Sequence, residues 1–226
     1  MEKIPFECEG RKAVLYRGEQ AELPLIVLNE FDGDGQPVLR ALEEIHAPAC
    51  HLLVIQVPDW NRDMSPWPCP PVMGREPPYT GGADACLEQL TGSILPEALS
   101  MIPGEPSFIG VAGYSLAGLF ALYSLYRCDA FSRAASISGS LWFPDFLEYA
   151  ETQEMKRRPD RLYLSLGDRE DRSRNPILRT VRDHTEQLAS HLEQKGLRVT
   201  WELNPGNHFM EPELRTAKGI RALLEA

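Results

Sequence analysis

The sequence predicts an α/β fold with a mainly parallel central sheet, and two observations carry that expectation. Short apolar runs alternate along the chain with longer segments of helical period, and those runs are apolar throughout instead of at every second residue. A strand covered by helices on both faces has no wet side, so its sequence does not alternate. In order, residues 13–16 read as an antiparallel edge strand. Residues 23–28 form an apolar run that ends in the turn-rich stretch from Asn29 to Gly35. Val38, Leu39, Ala41, Leu42 and Ile45 then recur at helical spacing.

A strand over 52–57 leads into a proline-rich segment, 58–82. A helix follows through Leu87, Leu90, Ile94, Leu95 and Leu99, then a strand at 107–112 and an apolar helix over 116–127. Further strands are expected at 134–138, 162–166 and 198–203. Between the last two lies a helix over 176–194, with Pro176 suited to a first turn and Gly196 to the exit. A closing helix covers 212–224. No repeat or linker divides the chain, so residues 1–226 read as one domain. The long loop at 58–82 is either functional or a cover over the sheet edge. Only a minimal cap fits within 139–160.

Composition narrows the function classes. Hydrophobic residues are 43% and charged residues 25% of the 226, enough for a core without metal or disulfide support. The net charge of -10 opposes nucleic-acid binding, because no basic surplus exists to displace counterions from phosphates. No apolar run is long enough to span a bilayer, and the first residues lack the apolar core of a secretory signal. Five cysteines without Cys-x-x-Cys spacing suggest reduced thiols in a cytoplasmic protein and no metal site.

Chemistry enters at Gly113, Tyr114, Ser115, Leu116, Ala117 and Gly118, between a strand and an apolar helix. A serine on so sharp a strand-to-helix turn is presented as a nucleophile. Residues two before and two after it press together, which demands small side chains, here Gly113 and Ala117. The helix N-terminus beneath Ser115 favours an oxyanion.

A serine hydroxyl needs a base. His46, His51, His184 and His191 fall at element boundaries or along one helix. His208 instead lies in a loop after the last strand, which suits a base. The acid should follow the strand at 162–166, where Asp168, Glu170 and Asp171 compete. A short glycine turn brings the third residue past Gly167 back toward the histidine loop, favouring Glu170, with Asp168 as the alternative. The oxyanion donors expected are the amides of Leu116 and Phe31. Tyr114, Trp142, Trp60 and Trp67 are candidates to line the substrate site, with Phe143 beside Trp142. Arg62 and Arg75 could meet a substrate anion.

These segments resemble the putative-esterase group of α/β-hydrolases, the group around esterase D and the enterochelin esterases. The resemblance rests on residues 113–118, on Ser138, Gly139, Ser140, Leu141 and Trp142, on the turn from Gly167 to Glu170, and on Gly206, Asn207 and His208. It covers roughly residues 20–224. It implies a three-layer αβα sandwich and cofactor-free hydrolysis of a small-molecule carboxylic ester through an acyl-enzyme. Thioester hydrolysis or acyl transfer is the nearest alternative, as mycolyltransferases share the wider family. The siderophore esterases proper carry an extra N-terminal domain, so the expectation leans away from a trilactone substrate. A non-catalytic binding module would be expected to have lost one of the three site residues. Homodimerisation stays open.

Overall fold

Two antiparallel strands lead the chain, β1 (Glu2–Cys8) and β2 (Arg11–Arg17), followed by β3 (Leu25–Glu30), α1 (Gln36–Glu44) and β4 (His51–Gln56). The computed structural model describes residues 1–72, 74 and 76–225. Within the proline-rich segment lie α2 (Trp60–Asp63) and a two-residue ladder of β5 (Pro68–Cys69) with β6 (Tyr79–Thr80). Next come α3 (Ala83–Gln89), a single π-helical stretch over Leu90–Ile94, and α4 (Leu95–Ser100). The second half runs β7 (Ile109–Tyr114), α5 (Leu116–Arg127), β8 (Arg133–Ile137), α6 (Phe146–Thr152), β9 (Arg161–Gly167), α7 (Val181–Gln194), β10 (Val199–Asn204) and α8 (Pro212–Leu224).

Eight strands form the main sheet in the order β1-β2-β4-β3-β7-β8-β9-β10. From β4 to β10 all neighbours are parallel; β2 joins β4 antiparallel. Successive residues of each strand face different cores. Leu25 and Val27 belong to the core shared with α3, α5 and α7, whereas Ile26 and Leu28 belong to the core shared with α1 and α8. That arrangement explains the unbroken apolar runs and makes the architecture a three-layer αβα sandwich. Helix α5 is buried along almost its whole length, from Leu116 to Tyr126, and so is apolar all round.

Sequence and structure differ at several points. The helix expected through Leu87 and Leu99 is interrupted by the π-helical stretch, which lets Pro96 sit in the first turn of α4 without costing a mid-helix bond. The helix expected from Pro176 starts as a 3-10 turn, Leu178–Thr180, and becomes α-helical only at Val181. Strand β1 and helix α6 were not anticipated: β1 alternates between exposed and half-buried residues and has no apolar run. Among the described residues no helix is long and apolar enough to cross a membrane.

Candidate active site

Ser115 occupies the junction of β7 and α5 with φ 59° and ψ -123°, a conformation rare outside glycine. Sterics on either side hold it there. A Cβ on Gly113 would lie 2.2 Å from the Ala117 carbonyl oxygen and 2.7 Å from the Ala117 Cβ. Position 113 therefore admits only glycine, while alanine fits at 117. The Ser115 amide donates to Ile137 O at 3.1 Å, and the Ser140 amide donates to Ser115 O at 3.0 Å. Leu116 is the first residue of α5, so its N–H has no acceptor within the helix.

The carboxyl ends of β9 and β10 bring the remaining groups to Ser115. His208 Nε2 lies 3.1 Å from Ser115 Oγ, and His208 Nδ1 lies 2.7 Å from Glu170 Oε2. Glu170 opens a 3-10 turn (Glu170–Arg172) that folds back on its strand, so the Gly167 amide donates to Glu170 Oε1 at 2.6 Å. Gly167 is needed for this closeness: a Cβ there would stand 2.4 Å from Gly206 O in the histidine loop. Asp168, the alternative acid, makes no bond to His208. Its Oδ1 accepts from the Gly206 amide at 2.8 Å and so braces the loop that carries the histidine.

The Glu170 carboxylate is only 4% exposed. Burial pushes its pKa up, but the hydrogen bond and charge of His208, the Gly167 amide and the Ser138 hydroxyl outweigh burial and hold it below the usual carboxylate range. Arg215 from α8 completes the pairing and was not singled out from the sequence. It is the largest fully buried side chain, with Nη1 3.3 Å from Glu170 Oε1. It also donates to Ser138 Oγ at 3.2 Å and to Pro205 O at 2.7 Å. A carboxylate and a guanidinium buried together offset part of the cost of burying each. An arginine in an amphipathic helix is ordinarily a surface residue, and nothing in the local pattern distinguishes Arg215.

A pocket of about 340 Å³ opens beside Ser115 and His208, with Trp142, Leu178, Val181 and Phe209 as its apolar walls and Arg169 and Arg172 among its lining. Of the aromatic candidates only Trp142 lines it. Tyr114 points elsewhere: its ring packs 5.3 Å from the His208 ring and its hydroxyl donates to the His208 carbonyl. Trp67 sits in an aromatic cluster with Tyr123, Phe143 and Tyr149, its indole N–H donating to Pro144 O at 3.1 Å. Trp60 packs edge-on against Phe31 at 6.1 Å, outside the pocket wall. Phe143 is wholly buried. Large aromatics can face the core as readily as a substrate, and here most do. Arg62 pairs with Asp59 and Asp63, and Arg75 lies outside the described residues.

Phe31 follows the end of β3 and is 60% exposed. Asn29 pairs with Gly113 across the β3–β7 ladder, so Phe31 and Ser115 each stand two residues beyond the same rung. Beside it, burial pushes the Glu30 carboxyl up to about 7, against the Gly35 amide that bonds it and with the nearby Asp34 and Glu213 carboxylates adding. Ser140, part of the segment that carries the resemblance but given no role from the sequence, places its Oγ 3.4 Å from Ser115 Oγ. The other histidines have local roles or none: His51 Nδ1 accepts from the Gly18 amide, and His184 Nδ1 contacts Leu141 O.

Comparison with known proteins bears on the fold and the family. The uncharacterized protein YbbA of Bacillus subtilis (strain 168) is 26% identical over 159 residues, 69% of this chain and 64% of that protein, so the match spans less than two thirds of that relative's length. Among solved structures, an IroE-like serine hydrolase from Shewanella oneidensis superposes with a TM-score of 0.82 at 19% identity, covering 97% of this chain and 79% of that one. The siderophore hydrolase EstB from Aspergillus nidulans gives 0.76 at 19%, covering 99% and 95%. The enterochelin esterase from Shigella flexneri gives 0.74 at 21%, covering 99% and 58%. These likenesses establish the α/β-hydrolase fold. Residues 33–212, which include Ser115, Glu170 and His208, match the model of the family described as Putative esterase, and the chain belongs to that family.

Proposed function

We propose that the protein is a serine hydrolase that cleaves a carboxylic ester of a small or medium acyl group through an acyl-enzyme. The observation that carries this reading is the chain of contacts from Ser115 Oγ to His208 at 3.1 Å and from His208 to Glu170 at 2.7 Å, beside an apolar pocket of about 340 Å³. His208 Nε2 takes the Ser115 proton as Oγ attacks the ester carbonyl, and Glu170 holds the imidazole in orientation. The amides of Leu116 and Phe31 receive the developing oxyanion. His208 then protonates the departing alcohol, and a water attacks the acyl-enzyme by the same route in reverse. The pocket volume favours a short acyl or aryl group over a long lipid chain.

A fluorophosphonate probe and a panel of p-nitrophenyl esters of increasing acyl length test this reading. The wild type should label at one site, and Ser115→Ala should lose both labelling and turnover by about four orders of magnitude. Labelling that survives in Ser115→Ala would refute the assignment of the nucleophile. A rate that climbs steadily to long acyl chains would refute the pocket's size limit.

A further inference from the structure

Resting on that reading of the site, we infer that the preferred substrate carries an anionic group, a carboxylate or a phosphate, and that Arg172 is the residue that selects it. The chain as a whole is acidic, with 33 Asp and Glu against 23 Lys and Arg. One short stretch departs from this: between 169 and 182 stand five arginines, Arg169, Arg172, Arg174, Arg179 and Arg182. Two of them are already matched. Arg169 lies 3.7 Å from Asp168, and Arg182 lies 2.9 Å from Glu186 and 3.7 Å from Asp171. Among the described residues no carboxylate stands within 4.0 Å of the guanidinium of Arg172, Arg174 or Arg179.

Position turns this surplus into a subsite. Arg172 lines the pocket beside Ser115, and it also lines an adjoining depression shared with Arg174, Arg179 and Arg182. Asp168 and Asp171 reach that depression too, but these are the carboxylates engaged by Arg169 and Arg182. Inside the pocket the single lining carboxylate, Glu170, is engaged by His208 and Arg215. The space next to the nucleophile therefore has apolar walls and an uncompensated cationic rim. An ester with an apolar body and an anionic end matches both parts, since a guanidinium fork binds carboxylate and phosphate oxygens in pairs.

The rim is also held in register with the reacting groups. The same 3-10 turn, Glu170–Arg172, places the acid on His208 at one end and Arg172 on the pocket at the other. Just beyond it, Asn175 Nδ2 donates to the Val72 carbonyl and Asn175 Oδ1 accepts from the Ile177 amide at 2.9 Å, which ties the arginine stretch to the proline-rich segment. An anion on Arg172 would therefore sit on the same turn that carries Glu170, beside Ser115.

Matched ester pairs test the inference. One pair places the charge on the acyl side: mono-p-nitrophenyl glutarate against p-nitrophenyl pentanoate. The other places it on the leaving side: m-carboxyphenyl butyrate against phenyl butyrate. In at least one pair the wild type should favour the anionic member in kcat/KM by about tenfold at low salt, and about 0.5 M NaCl should erode that preference. Arg172→Gln should lower the anionic-to-neutral ratio by about tenfold, with fluorophosphonate labelling of Ser115 retained to show that the variant is folded. Equal or better turnover of the neutral member in both pairs would overturn the inference, as would an unchanged ratio in Arg172→Gln. If the neutral esters turn over and Ser115 labels while no anionic preference appears, the subsite fails and the hydrolase reading stands. If Ser115 does not label at all, both fail together.

Discussion

Around Ser115 the backbone is wedged by direct contact, with Gly113 against Ala117 and no room for a further methyl group. Around His208 the backbone hangs from hydrogen bonds: Asp168 to the Gly206 amide, Arg215 to the Pro205 carbonyl, Tyr114 to the carbonyl of His208 itself. The first corner sits at the middle of the sheet between two buried neighbours. The second is a loop beyond the edge strand β10, with the histidine side chain 29% exposed. Contact repulsion rises steeply over tenths of an ångström, whereas a hydrogen bond stretches at modest cost. Ser115 is thus held mainly by contact, whereas the loop of His208, where Gly167 also closes on Gly206 O, relies in addition on three hydrogen bonds.

The largest effect should come from breaking the wedge. Gly113→Ala is expected to abolish fluorophosphonate labelling and lower kcat/KM by at least about 10⁴-fold, if the protein folds at all. Ala117→Gly should remain active. A Gly113→Ala protein with more than about a tenth of wild-type turnover would mean that the elbow has slack, contrary to the contact argument.

Next in size is the separation of the two carboxylates in the softer corner. Glu170→Gln keeps the shape but lets the imidazole settle in the wrong tautomer, and should cost about 10³- to 10⁴-fold in kcat. Asp168→Asn should cost less than about tenfold, because it weakens only a brace. The reverse order of severity would reassign the acid.

A smaller loss is expected from Arg215. Arg215→Met leaves the Glu170 carboxylate buried with one partner fewer, for about 3 kcal/mol of stability by denaturant titration. Activity should fall about a hundredfold, with Arg215→Lys recovering part of it. If Arg215→Met lowered stability and left kcat unchanged, Arg215 would be a core residue with no part in positioning the histidine.

The mildest test concerns Glu30 on the serine side. Its folded pKa, about 7, is raised from an ordinary 4.5. The sign follows: the contribution is fully present below 4.5 and is lost as pH rises through about 7. Glu30→Gln should therefore flatten the decline of Tm between these values and raise Tm at pH 8 by about 3 °C. A Tm difference that does not vary with pH would show that Glu30 ionises normally.

Much of this was readable from the chain. The sheet was, because strands covered on both faces have only apolar residues to offer, as in β3 and β4. So were Ser115, Glu170 and His208 as neighbours, because each follows a strand in a fixed order and carries small or glycine residues that only a tight turn requires. The pocket wall was not. Tyr114, Trp60 and Trp67 are large and aromatic, yet whether each faces core or ligand depends on packing against residues distant in sequence, as for Trp67 with Tyr123 and Pro144. Arg215 was hidden for a related reason. Its partners, at or just beyond the carboxyl ends of β7, β8, β9 and β10, converge only once the sheet is assembled.

The strand order has a consequence for biosynthesis. From β7 onward each new parallel strand is laid beside the one before it, so the sheet grows in one direction as the ribosome delivers it. Ser115 is delivered early on that path and His208 follows 93 residues later. Every nascent intermediate between them carries a serine on a turn with no base beside it. On the proposed reading, a chain that has not yet docked β10 has no His208 beside Ser115 and should not label with a fluorophosphonate.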